Sequence, residues 1–197
     1  MTRLELPAAD IVGIRASNPG PFTLTGTNSW LVGRDPAWLV DPGPALDEHV
    51  AALAGEIESR GGLEGIALTH DHQDHSEAVP AIRARFPGAE LAGARGEVDV
   101  KLLENPRFGP LMALPTPGHA PDHVSFICGE VALTGDAVLG EGSVFIFPDP
   151  GAMAGYLQGL ERLRSHNLKL LAPGHGPPVD HVEAKLDEYI SHRLERE

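Results

Sequence analysis

Five of the ten histidines in this 197-residue chain fall in three tight contexts. His70, His72 and His75 share the run Thr69-His70-Asp71-His72-Gln73-Asp74-His75. His119 follows Pro117-Gly118, and His175 lies between Pro173-Gly174 and Gly176. Each context follows a short apolar run that reads as a β-strand, and Asp136 follows a fourth, Glu130-Val131-Ala132-Leu133-Thr134, through Gly135. A strand end projects side chains into a crevice, and an adjacent glycine lets the backbone turn so that a histidine points inward. In an extended segment residues i and i+2 share a face, which sets the donors of His70 and His72 side by side. Asp74 and His75 follow where the chain should turn into a helix, and they are expected to face a second centre close by. Imidazole and carboxylate donors without thiolate suit zinc, with iron or manganese as alternatives. The seven side chains His70, His72, Asp74, His75, His119, Asp136 and His175 are about what two four- or five-coordinate ions need when a carboxylate and a water are shared.

Bringing these donors together requires strands that end at one edge. Strands are expected at 11–15, 29–33, 37–40, 65–69, 89–93, 111–115, 124–128, 130–134 and 168–172. Leu46, Val50, Leu53 and Ile57 recur at helical spacing, so 46–60 reads as a helix; 76–86, 152–166 and 180–195 read likewise. Asp41-Pro42-Gly43-Pro44 and Gly61-Gly62 punctuate the pattern as turns. Strands alternating with helices imply helices packed outside sheets, in layers, while periodicity leaves one sheet or two open.

Other residues near these motifs have more than one reading. Asp41 is a turn former or a partner that orients a ligand histidine. His123 either packs locally or holds a ligand by its other ring nitrogen. Asp71 points away from His70 and His72 by alternation and is expected to serve a turn or hydrogen bonds behind the site rather than a metal, and Glu141, near Asp136, is a loop carboxylate or a residue that reaches the cleft. His49, His166, His181 and His192 fall on helices, mostly on polar faces, and are expected to be solvated. Cys128, in an apolar strand, is expected in the core.

The formal net charge of −13 argues against a dedicated DNA-binding protein. No apolar run approaches the ~20 residues of a membrane span. The length fits one domain over 1–197. A single cysteine and an N-terminus without an export pattern point to the cytoplasm.

The order HxHxDH, PGH, GD and PGHG resembles that of the metallo-β-lactamase fold superfamily. Thr27-Asn28-Ser29-Trp30-Leu31-Val32, Leu39-Val40-Asp41-Pro42-Gly43, Thr116-Pro117-Gly118-His119-Ala120-Pro121-Asp122-His123, Gly135-Asp136-Ala137-Val138 and Tyr189-Ile190-Ser191-His192-Arg193 resemble the β-lactamase-like protein 2 group within it. That group in turn is similar to the hydroxyacylglutathione hydrolases (glyoxalase II). Trp30 stands where the group usually has tyrosine, and the segments of glyoxalase II that contact glutathione have no close match. The resemblance implies an α+β fold, an αββα sandwich of two mixed sheets flanked by helices with the site at one edge. It implies that His70, His72 and His119 hold one metal, that Asp74, His75 and His175 hold the other, and that Asp136 bridges them.

The activity so implied is hydrolysis of a small ester, thioester, lactone or amide by water activated between two zinc ions. Asp74 would orient that water and take its proton. The partner is then a small-molecule substrate, with RNA cleavage as the alternative that the β-lactamase-like protein 2 likeness brings. An oxidoreductase of the mononuclear-iron, persulfide dioxygenase type is a reading from another class, and the full second set of donors disfavours it.

Overall fold

The computed structural model describes residues 2–6 and 10–194, so the helix end expected at 195 lies outside the described residues. One sheet contains, in sequence order, β1 (Thr2–Glu5), β2 (Ile11–Arg15), β3 (Asn28–Val32), β4 (Ala37–Val40), β5 (Leu63–Ala67), β6 (Glu90–Gly93) and β7 (Val100–Lys101). Its first four strands are antiparallel, and from β4 onward neighbours run parallel. The change of sense coincides with α1 (Asp47–Ser59), which carries the chain from β4 to β5, because parallel neighbours need a crossover. The second sheet has the order β12 (Leu170–Pro173), β11 (Val131–Gly135), β10 (Val124–Cys128), β9 (Leu111–Pro115), β8 (Arg107–Phe108). Within it only the β11–β12 pair is parallel.

Alternation along the strands divides the apolar side chains between layers. In β3, Trp30 and Val32 enter the core between the sheets with Phe126 and Leu133. Leu31 points the other way, onto Leu53 and Ile57 of α1 and Ile82 of α3 (Val79–Arg85). The outer face of the second sheet is covered by α4 (Ala152–Arg164) and α5 (Val182–Leu194) through Tyr156, Leu160, Leu163 and Leu186. The layers therefore run helix, mixed sheet, mixed sheet, helix, as the resemblance implies.

Several expected boundaries move. The strand expected at 65–69 ends at Ala67, and the helix expected at 76–86 is two pieces, α2 (Gln73–Ser76) and α3. Pro80 explains the break: a proline fits the first turn of a helix but not its interior, so α3 restarts beside it. Three short strands, β1, β7 and β8, carry no clear apolar alternation and escape the sequence pattern. His49 is a correction: it lies in the first turn of α1 and is fully buried, with Nε2 3.0 Å from Ser29 Oγ. The signal was present, because His49 lies three residues after Leu46 and four before Leu53, on the buried stripe. His166 lies beyond the end of α4, and His181 precedes α5. No helix of the described residues is long and apolar enough to cross a membrane.

Candidate metal centre

All seven expected donors meet at one edge of the sandwich. The chain leaves β5, crosses Leu68 and Thr69, and delivers His70 and His72; the single turn of α2 then delivers Asp74 and His75. The end of β9 leads to His119, that of β11 to Asp136, and that of β12 to His175. The first sheet clamps the last of these turns. Asn28 Nδ2 donates to the carbonyls of Pro173 and Gly176 at 3.0 and 2.9 Å, and the Arg15 guanidinium donates to Gly176 O at 2.9 Å. Trp30 Nε1 adds a bond to Pro173 O at 3.1 Å.

Three donor groups lie close enough to share a cation: His70, His72 and His119; Asp74, His75 and His175; and His70, His75 and Asp136. In the first, His72 Nδ1 stands 2.9 Å from His70 Nε2 and 3.0 Å from His119 Nε2. In the second, the Nε2 atoms of His75 and His175 are 3.3 Å apart, and Asp74 Oδ2 is 3.4 and 3.2 Å from them. Asp136 faces both: Oδ1 is 3.4 Å from His75 and His175 Nε2, and Oδ2 is 3.5 Å from His119 Nε2.

Ring orientation follows from what each outer nitrogen meets. His119 Nδ1–H donates to Phe145 O at 2.9 Å, and His175 Nδ1–H to Gly26 O at 3.4 Å. Asp41 fixes two more rings. It accepts from His75 Nδ1–H at 2.9 Å and from the Thr69 hydroxyl at 2.8 Å, which leaves Thr69 Oγ1 to accept from His70 Nδ1–H at 2.9 Å. A histidine that donates from Nδ1 presents a lone pair at Nε2 when neutral. The Nε2 atoms of these four rings therefore face inward, where each neutral ring offers its lone pair.

These atoms fit a metal. Three imidazole nitrogens about 3 Å apart cannot all be satisfied by one shared proton, whereas donors on a tetrahedral zinc at 2.0–2.1 Å stand roughly 3.3 Å apart. Asp136 Oδ1 is buried and makes no hydrogen bond of ordinary geometry among the described residues; its neighbours at 3.4 Å are the Nε2 atoms of His75 and His175, themselves donors that a cation would share. The backbone at Gly174 passes so close that a Cβ there would lie 2.7 Å from both Asp136 Oδ1 and His75 Cε1.

The electrostatics differ across the cluster. Burial, reinforced by the neighbouring imidazoles, holds His70 well below the usual histidine range, and burial with His119 lowers His72. Burial also works against charge on His75 and His175, but carboxylates outweigh it. Asp136 and Asp41 raise His75 well above its ordinary value, and Asp136 and Asp74 raise His175 to about 9. Against the cost of its burial, His75 and His175 in turn hold the Asp136 carboxyl well below its ordinary range.

The two residues with open roles both support the cluster. Asp41 orients His75 directly and His70 through Thr69, with its backbone at φ 52°. His123 is buried and contacts the backbone: it accepts the Asp136 N–H at Nε2, 3.0 Å away, and donates from Nδ1 to Thr116 Oγ1 at 2.8 Å. Burial pushes its pKa down to about 3, which keeps the accepting nitrogen unprotonated. Gly135, at φ 48°, brings the chain over Thr69 and His123, where a Cβ would lie under 3 Å from each. Thr69 and Thr27, whose hydroxyl is 3.5 Å from Asp74 Oδ2, are the supporting residues that sequence reading missed. Position beside the HxHxDH run was the one available signal for Thr69. Asp71 is exposed and stands in none of the three donor groups, and Cys128 is in the inter-sheet core. Beside the cluster lies a cleft of about 470 Å3, lined by His119, Asp136 and Glu141 among others.

Residues 22–99 match the model of the metallo-beta-lactamase superfamily. The chain is 34% identical to a beta-lactamase-like protein 2 homolog of Caenorhabditis elegans, over 95% of this chain and 68% of that protein. It is also 34% identical to an atrochrysone carboxyl ACP thioesterase of Aspergillus chevalieri, over 95% of this chain. It spans only 63% of that enzyme's length. Among solved structures, a metallo-beta-lactamase family protein of Thermus thermophilus superposes with a TM-score of 0.75 at 21% identity, covering 94% of this chain and 80% of its own.

Proposed function

The chain belongs to the metallo-beta-lactamase superfamily, and from that membership and the donor geometry we propose that it is a two-zinc hydrolase of small esters or thioesters. The observation that carries this reading is the convergence of five imidazoles and two carboxylates around the unpartnered Asp136 Oδ1. His70, His72 and His119 would hold one ion, and Asp74, His75 and His175 the other, with Asp136 between them. Two cations so held would supply polarisation of the bond under attack and would favour the loss of a proton from water.

The chain's own groups account for the rest. Asp74 is the more open of the two site carboxylates, with a side chain 31% exposed against 11% for Asp136. Asp74 is therefore the carboxylate that would meet an incoming water, orient it and accept its proton, while its Oδ2 faces the second donor set. Thr27 donates toward the same oxygen and limits its rotation. Asp41, Thr69 and the Phe145 carbonyl keep the rings aimed during turnover. No serine or cysteine nucleophile is needed, and Cys128 is packed in the core, where burial raises its thiol pKa. The likeness to a thioesterase supports a thioester among the substrates. Of the arginines near a potential RNA face, Arg83 is paired with Asp99 and Arg85 with Glu58, which leaves fewer free cations for a phosphate backbone.

The test is metal analysis joined to a panel of nitrophenyl esters, thioesters, a lactone, bis-nitrophenyl phosphate and single-stranded RNA. About two zinc per chain, with ester or thioester turnover that disappears on chelation and returns with zinc, is the expected result. Full activity in metal-stripped protein overturns it. RNA cleavage without ester turnover makes the protein a nuclease, and one iron per chain with oxygen consumption makes it an oxygenase.

A further inference from the structure

Singly scattered exposed apolar side chains are ordinary on a protein surface, but a cluster at one opening is not. Phe22 is 78% exposed, Phe145 54% and Phe147 49%, and all three stand at the candidate centre. Phe22 and Phe145 line the same cleft as His119 and Asp136. Phe147 lines a second cavity of about 230 Å3 on which His119 also opens, so the aromatic pair flanks that histidine. The rings of Phe145 and Phe147 meet edge to face, 5.0 Å between centroids. Phe22 arrives on the loop after β2 in the first sheet, whereas Phe145 and Phe147 arrive on the loop after β11 in the second. The two walls thus come from different sheets.

The second wall is anchored at successive residues. Tyr189 donates its hydroxyl to Gly142 O at 2.9 Å, Arg193 donates to Ser143 Oγ and Val144 O, and Phe145 O accepts from His119. A wall held this way loses little freedom when a ligand docks. The cleft's volume is that of a small-molecule site rather than a protein interface, and it is continuous with the metal donors. Its occupant is therefore the substrate itself.

Resting on the hydrolase reading above, we propose that Phe22 and Phe145, backed by Phe147, form an aromatic clamp that selects substrates whose acyl group is an extended aromatic or apolar body. Flat rings stack or meet edge to face with phenyl groups, while a short acyl chain cannot reach both walls.

The test compares the 2-naphthoyl and acetyl thioesters of N-acetylcysteamine on the zinc-loaded chain, each corrected for its rate of alkaline hydrolysis. The naphthoyl ester is expected to have the higher kcat/KM by about 50-fold, and Phe22→Ala or Phe145→Ala to lower that preference roughly tenfold each, with the acetyl turnover of Phe22→Ala within about twofold of wild type. A preference untouched by both substitutions, or a wild-type preference for acetyl, overturns the clamp. Calorimetric binding of 2-naphthamide separates this from failure of the hydrolase reading. If neither thioester is cleaved, that reading fails, and the clamp stands only if each substitution still weakens naphthamide binding by about tenfold. Substitutions that change the oligomeric state while leaving acyl preference and naphthamide binding intact make the rim a contact between copies of the chain and overturn the proposal.

Discussion

The two donor groups at the centre are built from opposite electrostatics. His70, His72 and His119 form a set of imidazoles alone, partly open to the cleft, in which burial and mutual repulsion favour the neutral ring at His70 and His72. Asp74, His75 and His175 combine a carboxylate with two buried histidines whose pKa values nearby carboxylates raise. A cation entering the first set meets lone pairs that are already free, whereas one entering the second must displace protons. Asp136, with an oxygen toward each set, belongs to both. The contrast teaches that a run as short as HxHxDH can feed two sites with different proton requirements.

Removing Asp136 should have the largest effect, because it faces both sets. Asp136→Ala is expected to lower hydrolysis by on the order of a thousandfold or more and to reduce bound metal at both positions, read by kinetics and by metal analysis. His72→Ala and His175→Ala should then separate the sets, each losing about one zinc per chain while the other ion stays; loss of both ions from either variant would show that the sets do not fill independently.

The next effect is on pH. With His175 raised to about 9, its ring carries a proton at pH 7 that a metal must expel, and carboxylates raise His75 in the same direction. Affinity for the second ion should fall by about 10- to 100-fold between pH 8 and pH 7. The first set, in which His70 and His72 are lowered, should change by less than about twofold. Metal titrations by calorimetry in buffers of different ionisation enthalpy count the released protons directly. Equal proton release at both sites would remove the contrast.

Asp41→Asn comes next, since it weakens the support of His75 directly and of His70 only through Thr69. We expect a loss of metal affinity of about 10- to 100-fold, larger at the second site. The smallest expected effect concerns a buried histidine away from both sets. Burial lowers the His49 pKa to about 4, so the unfolded chain binds the extra proton between the ordinary value and 4. The stability of neutral His49 is therefore intact above about pH 6.5 and is lost as pH falls toward 4, by up to about 3 kcal/mol. His49→Gln should flatten that acid limb relative to wild type in denaturant melts at pH 7, 5.5 and 4.

Much of this architecture was legible because it is local. The Leu46, Val50, Leu53, Ile57 stripe marks α1, and Gly and Pro mark where strands stop before each donor. What failed locally failed for identifiable reasons. The edge strands β1, β7 and β8 are too short and polar to show alternation, and α2 is a single turn whose side chains serve the centre rather than the core. His49 was assigned to solvent by its polarity although its spacing placed it on the buried stripe.

Residue type and spacing alone determined that seven nitrogen and carboxylate donors follow strand ends, two of them at the start of a helix, and suit divalent metals, because donor chemistry and the period of a strand are properties of the chain itself. Only the tertiary structure decided that Asp41 holds two of the rings, that His123 props the Asp136 backbone, and that Phe22 and Phe145 share one cleft. Those pairings join segments from separate loops and separate sheets. Their distances are set by how two twisted sheets pack, and no local pattern in the chain encodes that.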